Sequence, residues 1–87
     1  MPAYRIVVTP AADRQLARLP HQAREMMGAA LVALGPNPRP AGCVKLTGSQ
    51  NLWGIRIRDC RILYEIRDDR LLMITVVKIG NRKDVYR

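Results

Sequence analysis

Leu52-Trp53-Gly54-Ile55-Arg56-Ile57-Arg58-Asp59-Cys60-Arg61-Ile62-Leu63-Tyr64-Glu65-Ile66-Arg67 decides the fold, because apolar and charged residues alternate in two successive runs along it. A period of two sends successive side chains to opposite faces of an extended strand. Ile55 and Ile57 therefore share one face and Arg56 and Arg58 the other, while Ile62, Tyr64 and Ile66 oppose Arg61, Leu63, Glu65 and Arg67. Strands are expected over residues 52–58 and 61–67, and a third apolar run over 71–79 follows the turn Asp68-Asp69-Arg70. Such strands form an antiparallel sheet with one apolar face to bury and one basic face left open.

Residues 4–9 also alternate, with Tyr4, Ile6 and Val8 set against Arg5, Val7 and Thr9, which predicts an earlier strand. Thr9-Pro10 then reads as an N-cap followed by proline at the first helical position, where its missing N–H costs nothing. Ala12, Leu16 and Leu19 recur at helical spacing until Pro20 stops the helix. From His21 a second helix gathers Met26, Met27, Ala30, Leu31 and Leu34 on one face, and Gly35-Pro36 supplies a residue at C′ and a breaker. Glycine and proline at 35, 36, 38, 40, 42 and 48 make residues 35–51 a long surface loop with a short extended piece over 44–46. The expected order is β-α-α-β-β-β: an α+β fold in which an antiparallel β-sheet of about four strands packs against an N-terminal two-helix hairpin. The polar stretch 80–87 is expected to run along the sheet edge.

With 87 residues the chain is expected to be a single domain, 1–87. Fifteen Lys and Arg against seven Asp and Glu leave a formal charge of +8, which favours polyanionic partners: nucleic acid, acidic protein or a membrane surface. Twelve of the fifteen cations are arginine, whose planar fork grips phosphate or carboxylate through two parallel hydrogen bonds. The net charge divides evenly, +4 on residues 1–52 and +4 on 53–87, so it locates no site by itself. Strand alternation does locate one, bringing Arg56 and Arg61 to one open face with Lys78 and Arg82 returning beside them. Against this stands the plainer reading that these arginines are a solvated sheet face partly paired with Glu65, Asp59 or Asp84.

The inventory narrows the chemistry. One His, and carboxylates without HxxxH or CxxC company, make a dedicated metal site improbable, and there is no Gly-rich phosphate loop. His21 reads as a surface or capping residue, Met26 and Met27 as core, Trp53 and Tyr64 as core or half-buried sheet residues, and Cys60 as a packed thiol. Cys43 and Cys60 form no disulfide framework, no signal-peptide layout opens the chain and no run is long enough to span a bilayer, so a reduced, cytoplasmic protein is expected. What survives is catalysis by positioning and charge. Arginines aimed at a scissile phosphate stabilise a phosphorane-like transition state, RNA carries its own nucleophile in the 2′-OH, and Tyr86 is a candidate for stacking or proton transfer.

The run Trp53–Ile66 and the closing Gly80-Asn81-Arg82-Lys83-Asp84-Val85-Tyr86 resemble RelE-type toxins of the RelE/ParE superfamily of toxin–antitoxin modules. The opening strand, the Thr9-Pro10-Ala11-Ala12 helix start, the Leu19-Pro20 stop and Lys45-Leu46 extend the resemblance over nearly the whole chain. It implies a RelE-like microbial RNase fold and a metal-independent, ribosome-dependent endoribonuclease that cuts messenger RNA by 2′-OH attack, without a cofactor. It also implies inhibition by a cognate antitoxin in a hetero-oligomer, with operator DNA reached only through that complex and no membrane partner. Carried over by motif, the catalytic positions fall on Arg61, Arg82, Tyr86 and Arg56, with Arg58, Lys78, Lys83 and Lys45 as RNA-binding cations. Two departures stand out: Gly54 lies where the family carries a basic residue, with Arg58 as the candidate substitute, and Asn81 lies where some relatives carry histidine. The alternative reading is a ParE-like toxin that binds and inhibits DNA gyrase without cutting nucleic acid. A third is a degenerate member kept for binding its antitoxin or operator DNA.

Overall fold

The computed structural model describes residues 3–48, 51–69 and 71–81. Its elements are β1 (Arg5–Val8), α1 (Pro10–Ala17), α2 (His21–Leu34), β2 (Val44–Lys45), β3 (Leu52–Ile57), β4 (Cys60–Arg67) and β5 (Met73–Asn81). The five strands form one sheet in the order β1-β5-β4-β3-β2. Two expectations are corrected. The extended piece near Val44 is a true edge strand, since Val44 and Lys45 pair with Gly54 and Trp53, which makes five strands rather than about four. The sheet is also mixed, because β1 runs parallel to β5, with Ile6 beside Ile74 and Val8 beside Val76. No hairpin joins these two strands, so no tight turn fixes their direction; the helical pair carries the chain over one face between them.

Thr9 caps α1 as expected: its hydroxyl accepts the Ala12 N–H at 3.2 Å, and Pro10 opens the helix. Gly35 behaves differently from a left-handed terminator, since its φ and ψ of −56° and −59° are right-handed. Its small size serves a close approach instead. The Tyr4 N–H donates to the Gly35 carbonyl at 2.8 Å, and a Cβ on Gly35 would stand 3.3 Å from the Tyr4 carbonyl oxygen.

The core lies between the helices and one sheet face. Met27, Leu31 and Leu34 of α2 and Ala12 of α1 meet Ile62, Tyr64 and Ile66 of β4 and Ile74, Val76 and Ile79 of β5. A bulge in β5 keeps this set inward. Tyr64 pairs with Val76 but Leu63 pairs with Lys78, so Val77 is an extra residue. Without it the register would set Lys78 opposite Ile62 in the core; with it Ile79 takes that place and Lys78 turns to the open face. Beyond Val76, where β1 no longer accompanies β5, the Ile79 N–H is satisfied by Gln15 Oε1 of α1 at 2.8 Å. Arg58 breaks the alternation expected of β3, which ends at Ile57, because its φ of 54° is left-handed and turns the chain. β5 likewise begins at Met73 rather than residue 71, after Leu72 at φ 44°. It then continues through Asn81, which pairs with Cys60, so residues 80 and 81 belong to β5 and pair with β4; the rest of the stretch 80–87 lies outside the described residues.

The proline-rich loop is pinned at the end of the sheet away from the β3–β4 turn. The buried Tyr64 hydroxyl donates to the Pro38 carbonyl at 2.8 Å, and burial pushes its pKa well up. Next to it the Arg39 guanidinium stacks over Trp53, 4.9 Å from the ring centroid, and pairs with Asp68 at 2.7 Å; Asp68 also accepts the Tyr4 hydroxyl at 2.5 Å. Hydrogen bonds from Arg39 and then Tyr4 hold the Asp68 pKa below its ordinary value. A carboxylate with a depressed folded pKa contributes stability above its unfolded pKa and loses it as pH falls through the folded one. Asp68→Asn should therefore destabilise the protein at neutral pH by the roughly 0.2–1 kcal/mol of a solvent-exposed pair. In thermal melts across pH, this gap should close below pH ~3.9, the ordinary aspartate value.

Candidate functional site

The face of the sheet away from the helices carries the cations. Arg56 and Arg61 stand directly opposite one another across β3 and β4, and Arg61 in turn faces Gly80 on β5. The neighbouring row holds Val44, Gly54, Leu63 and Lys78. Two guanidinium groups and an ammonium group thus come from three adjacent strands, and rigid strands hold their Cα positions fixed. Arg56 turns toward the hairpin end, where its Nε–H donates to the Arg58 carbonyl at 2.9 Å. Ion pairs among the described residues are His21–Glu25, Arg39–Asp68 and Arg67–Asp69, so Arg56 is not neutralised there by Glu65 or Asp59. Like charges placed side by side on an open face favour an anion that bridges them.

The structure separates the expected RNA-binding residues. Lys78 joins Arg56 and Arg61 on the open face. Lys45 does not, since it lies opposite Trp53 and therefore shares the helix-side face of β2, while Val44 takes the open-face position. Arg58 is also elsewhere: with Asp59, Cys60 and Ile57 it lines a cavity of about 220 Å³ against Pro20, Gln22, Ala23 and Met26 at the start of α2. It cannot stand in for a cation at position 54. Arg82, Lys83 and Tyr86 lie outside the described residues, as does Asp84.

Sequence reasoning missed what fills the space above Gly54. Leu63, assigned by alternation to the basic face, is only 6% exposed. Its Cδ2 would lie 3.1 Å from a Cβ at Gly54, and Arg61 Cδ and Leu46 Cδ2 would each lie 3.8 Å away. The relevant signal is a glycine in mid-strand beside a leucine in a charged row, but it becomes readable only once the β3–β4 register is known.

Other groups take the roles expected of them. His21 is exposed at the start of α2, with Nε2 3.2 Å from Glu25 Oε1. Burial and then the Asp59 charge push the Cys60 thiol up, so it is a poor thiolate despite adjoining Arg61. No group of three or more His, Cys, Asp or Glu among the described residues is placed to hold a metal ion. No helix among them is long and apolar enough to cross a membrane.

This arrangement of strands and helices recurs in solved toxin–antitoxin structures. A chain of the toxin–antitoxin complex RelBE2 from Mycobacterium tuberculosis superposes with a TM-score of 0.80 at 23% identity, over 94% of this chain and 100% of that one. A chain of the intact E. coli RelBE complex gives 0.78 at 26% identity, over 91% and 96%. The isolated E. coli RelE toxin gives 0.79 at 26% identity, over 97% and 92%. No curated protein matches. The family model describing the ParE toxin of the type II toxin–antitoxin system parDE matches residues 6–86. The chain belongs to this family, and is a type II toxin of the RelE/ParE superfamily.

The raised thiol pKa yields a test of the packed reading of Cys60. Alkylation of Cys60 by iodoacetamide at pH 7 should be slower than that of a free thiol of ordinary pKa ~8.5 and accelerate only at alkaline pH. Mass spectrometry of the modified peptide measures it, and rapid labelling at neutral pH would contradict the burial.

Proposed function

We propose that this toxin is a ribosome-dependent endoribonuclease that cleaves messenger RNA without a metal and so arrests translation. The observation that carries this reading is the facing pair Arg56 and Arg61 with Lys78 beside it, on a sheet face with no carboxylate pairing Arg56 among the described residues. The fold match to isolated E. coli RelE at 26% identity supports it. In the proposed reaction the 2′-OH of one nucleotide attacks the adjacent phosphorus. The O–P bond to the next nucleotide's 5′-oxygen breaks, giving a 2′,3′-cyclic phosphate and a 5′-hydroxyl, as one proton leaves the 2′-oxygen and another reaches the 5′-oxygen. Arg61 and Arg82 stabilise the charge that builds on the phosphate oxygens. Arg56 acts as an electrostatic clamp, since a guanidinium with a pKa above ~12 does not serve as a base. Tyr86 stacks on a base or handles a proton, and Lys78 and Lys83 hold flanking phosphates.

The proposed inhibitor is a cognate acidic antitoxin whose segment covers the same basic face, as suggested by the toxin–antitoxin complexes among the similar structures. Operator DNA would be reached through that complex. A second reading has its own support: the ParE family match and the apolar Leu63 over Gly54 favour a toxin that inhibits DNA gyrase without cutting nucleic acid. Primer extension on messenger RNA from induced cells, set against induction of the DNA-damage response, separates the two.

Removing one transition-state donor costs roughly 10²–10³ in rate. Arg82→Ala and Arg61→Gln should therefore relieve growth inhibition and cut cleavage on programmed ribosomes by about that factor, with circular dichroism unchanged. Full toxicity in a folded Arg82→Ala variant would sink the ribonuclease reading.

A further inference from the structure

We infer that Gly54 is a positioning residue, the seat on which the stem of Arg61 rests and from which its guanidinium is aimed. Arg61 projects from β4 opposite Arg56, one row away from Gly54. Its Cδ nevertheless lies 3.8 Å from the point a Gly54 Cβ would occupy, so the side chain leans diagonally along the sheet and over the glycine. Leu63 Cδ2, at 3.1 Å from the same point, and Leu46 Cδ2, at 3.8 Å, wall the seat. Arg61 Nε is buried from water. Gly54 is not among the glycines with positive φ, so its backbone does not require glycine. The requirement is for space.

Lysine and arginine bury their methylene stems along apolar surface and keep the charged head outside. Here the stem lies over Gly54, where Leu63 and Leu46 also approach, and a stem placed in such a recess keeps less rotamer freedom than one in open water. The head group is thereby held ready to bind rather than ordered at the moment of binding. A cation introduced at position 54 would not simply add charge to the face. Its Cβ would press on Leu63, and its longer atoms would compete for the space above the strand that the Arg61 stem fills.

The seat can be tested without activity, and its effect on cleavage, which rests on the ribonuclease reading, can be tested separately. In 15N spectra of the arginine side chains the Arg61 Nε–H should exchange slowly with water, and its resonance is assigned by its loss in Arg61→Lys. In Gly54→Lys that proton should exchange at least about tenfold faster while amide signals of the helices stay in place. Gly54→Val, whose branched methyls reach past the Cβ into the space of the Arg61 stem, should speed exchange likewise, whereas Gly54→Ala, whose Cβ meets Arg61 Cδ at an ordinary 3.8 Å, should leave it slow; these two variants decide the matter if Gly54→Lys does not fold. A protected Nε–H in folded Gly54→Lys, or in Gly54→Val where Gly54→Lys does not fold, would overturn the seat. On programmed ribosomes Gly54→Lys should lower kcat at least about tenfold without raising KM, despite its extra positive charge. Cleavage at or above the wild-type rate would refute the positioning role. A wild-type protein that cuts no messenger RNA would remove the ribonuclease reading and leave the seat to be judged on the Nε–H exchange alone.

Discussion

Val77 contributes no pair of its own to the β4–β5 ladder, yet its insertion determines the chemistry of both sheet faces. Downstream of it, Ile79 points to the helices and Lys78 and Gly80 to the open side; upstream, Ile74 and Val76 point inward. A one-residue change of register flips every side chain that follows. Had β5 run without the bulge, a lysine would enter the core and an isoleucine would sit beside Arg61. The same shift sets Gly80, with no side chain, opposite Arg61, so the space there is bounded by arginine rather than by an aliphatic wall.

The open face is not uniformly polar. Arg56, Arg61 and Lys78 adjoin Leu63, Leu46 and Val44, so charge and apolar surface meet along one line. A ligand with anionic and flat apolar parts can satisfy both. A nucleotide strand does so with its phosphates and bases, and an acidic amphipathic peptide with its carboxylates and aliphatic side chains. A surface of this kind suits either chemistry.

Much of this was legible in the sequence because its strongest signals are local. Alternation in residues 52–67 placed the β3–β4 hairpin and the facing arginines, and Thr9-Pro10 marked the start of α1 through a cap that the structure forms. What escaped was non-local. The parallel pairing of β1 with β5 depends on contacts between distant segments, and the bulge on which hydrophobic set fits the core. Arg58 was assigned to the basic face because alternation assumes that the strand continues, whereas a left-handed turn residue ends it. Gly54 was read as a lost charge because a sequence cannot show that Arg61 and Leu63 lean over it.

The neighbouring placement of β1 and β5 has a consequence for the birth of the protein. β1 is made early, but its partner edge, from Met73 to Val76, is made only after both helices and three other strands. Contacts between such distant segments are slow to form, because a long loop must close before any pairing rewards it. During synthesis β1 therefore waits unpaired, and the helices lack most of the sheet face they are to cover. The β3–β4 hairpin that carries Arg56 and Arg61 precedes β5, so the basic face too is completed only when β5 pairs with β4. A chain still being made thus has no finished basic face until β5 has been synthesised and has paired with β4.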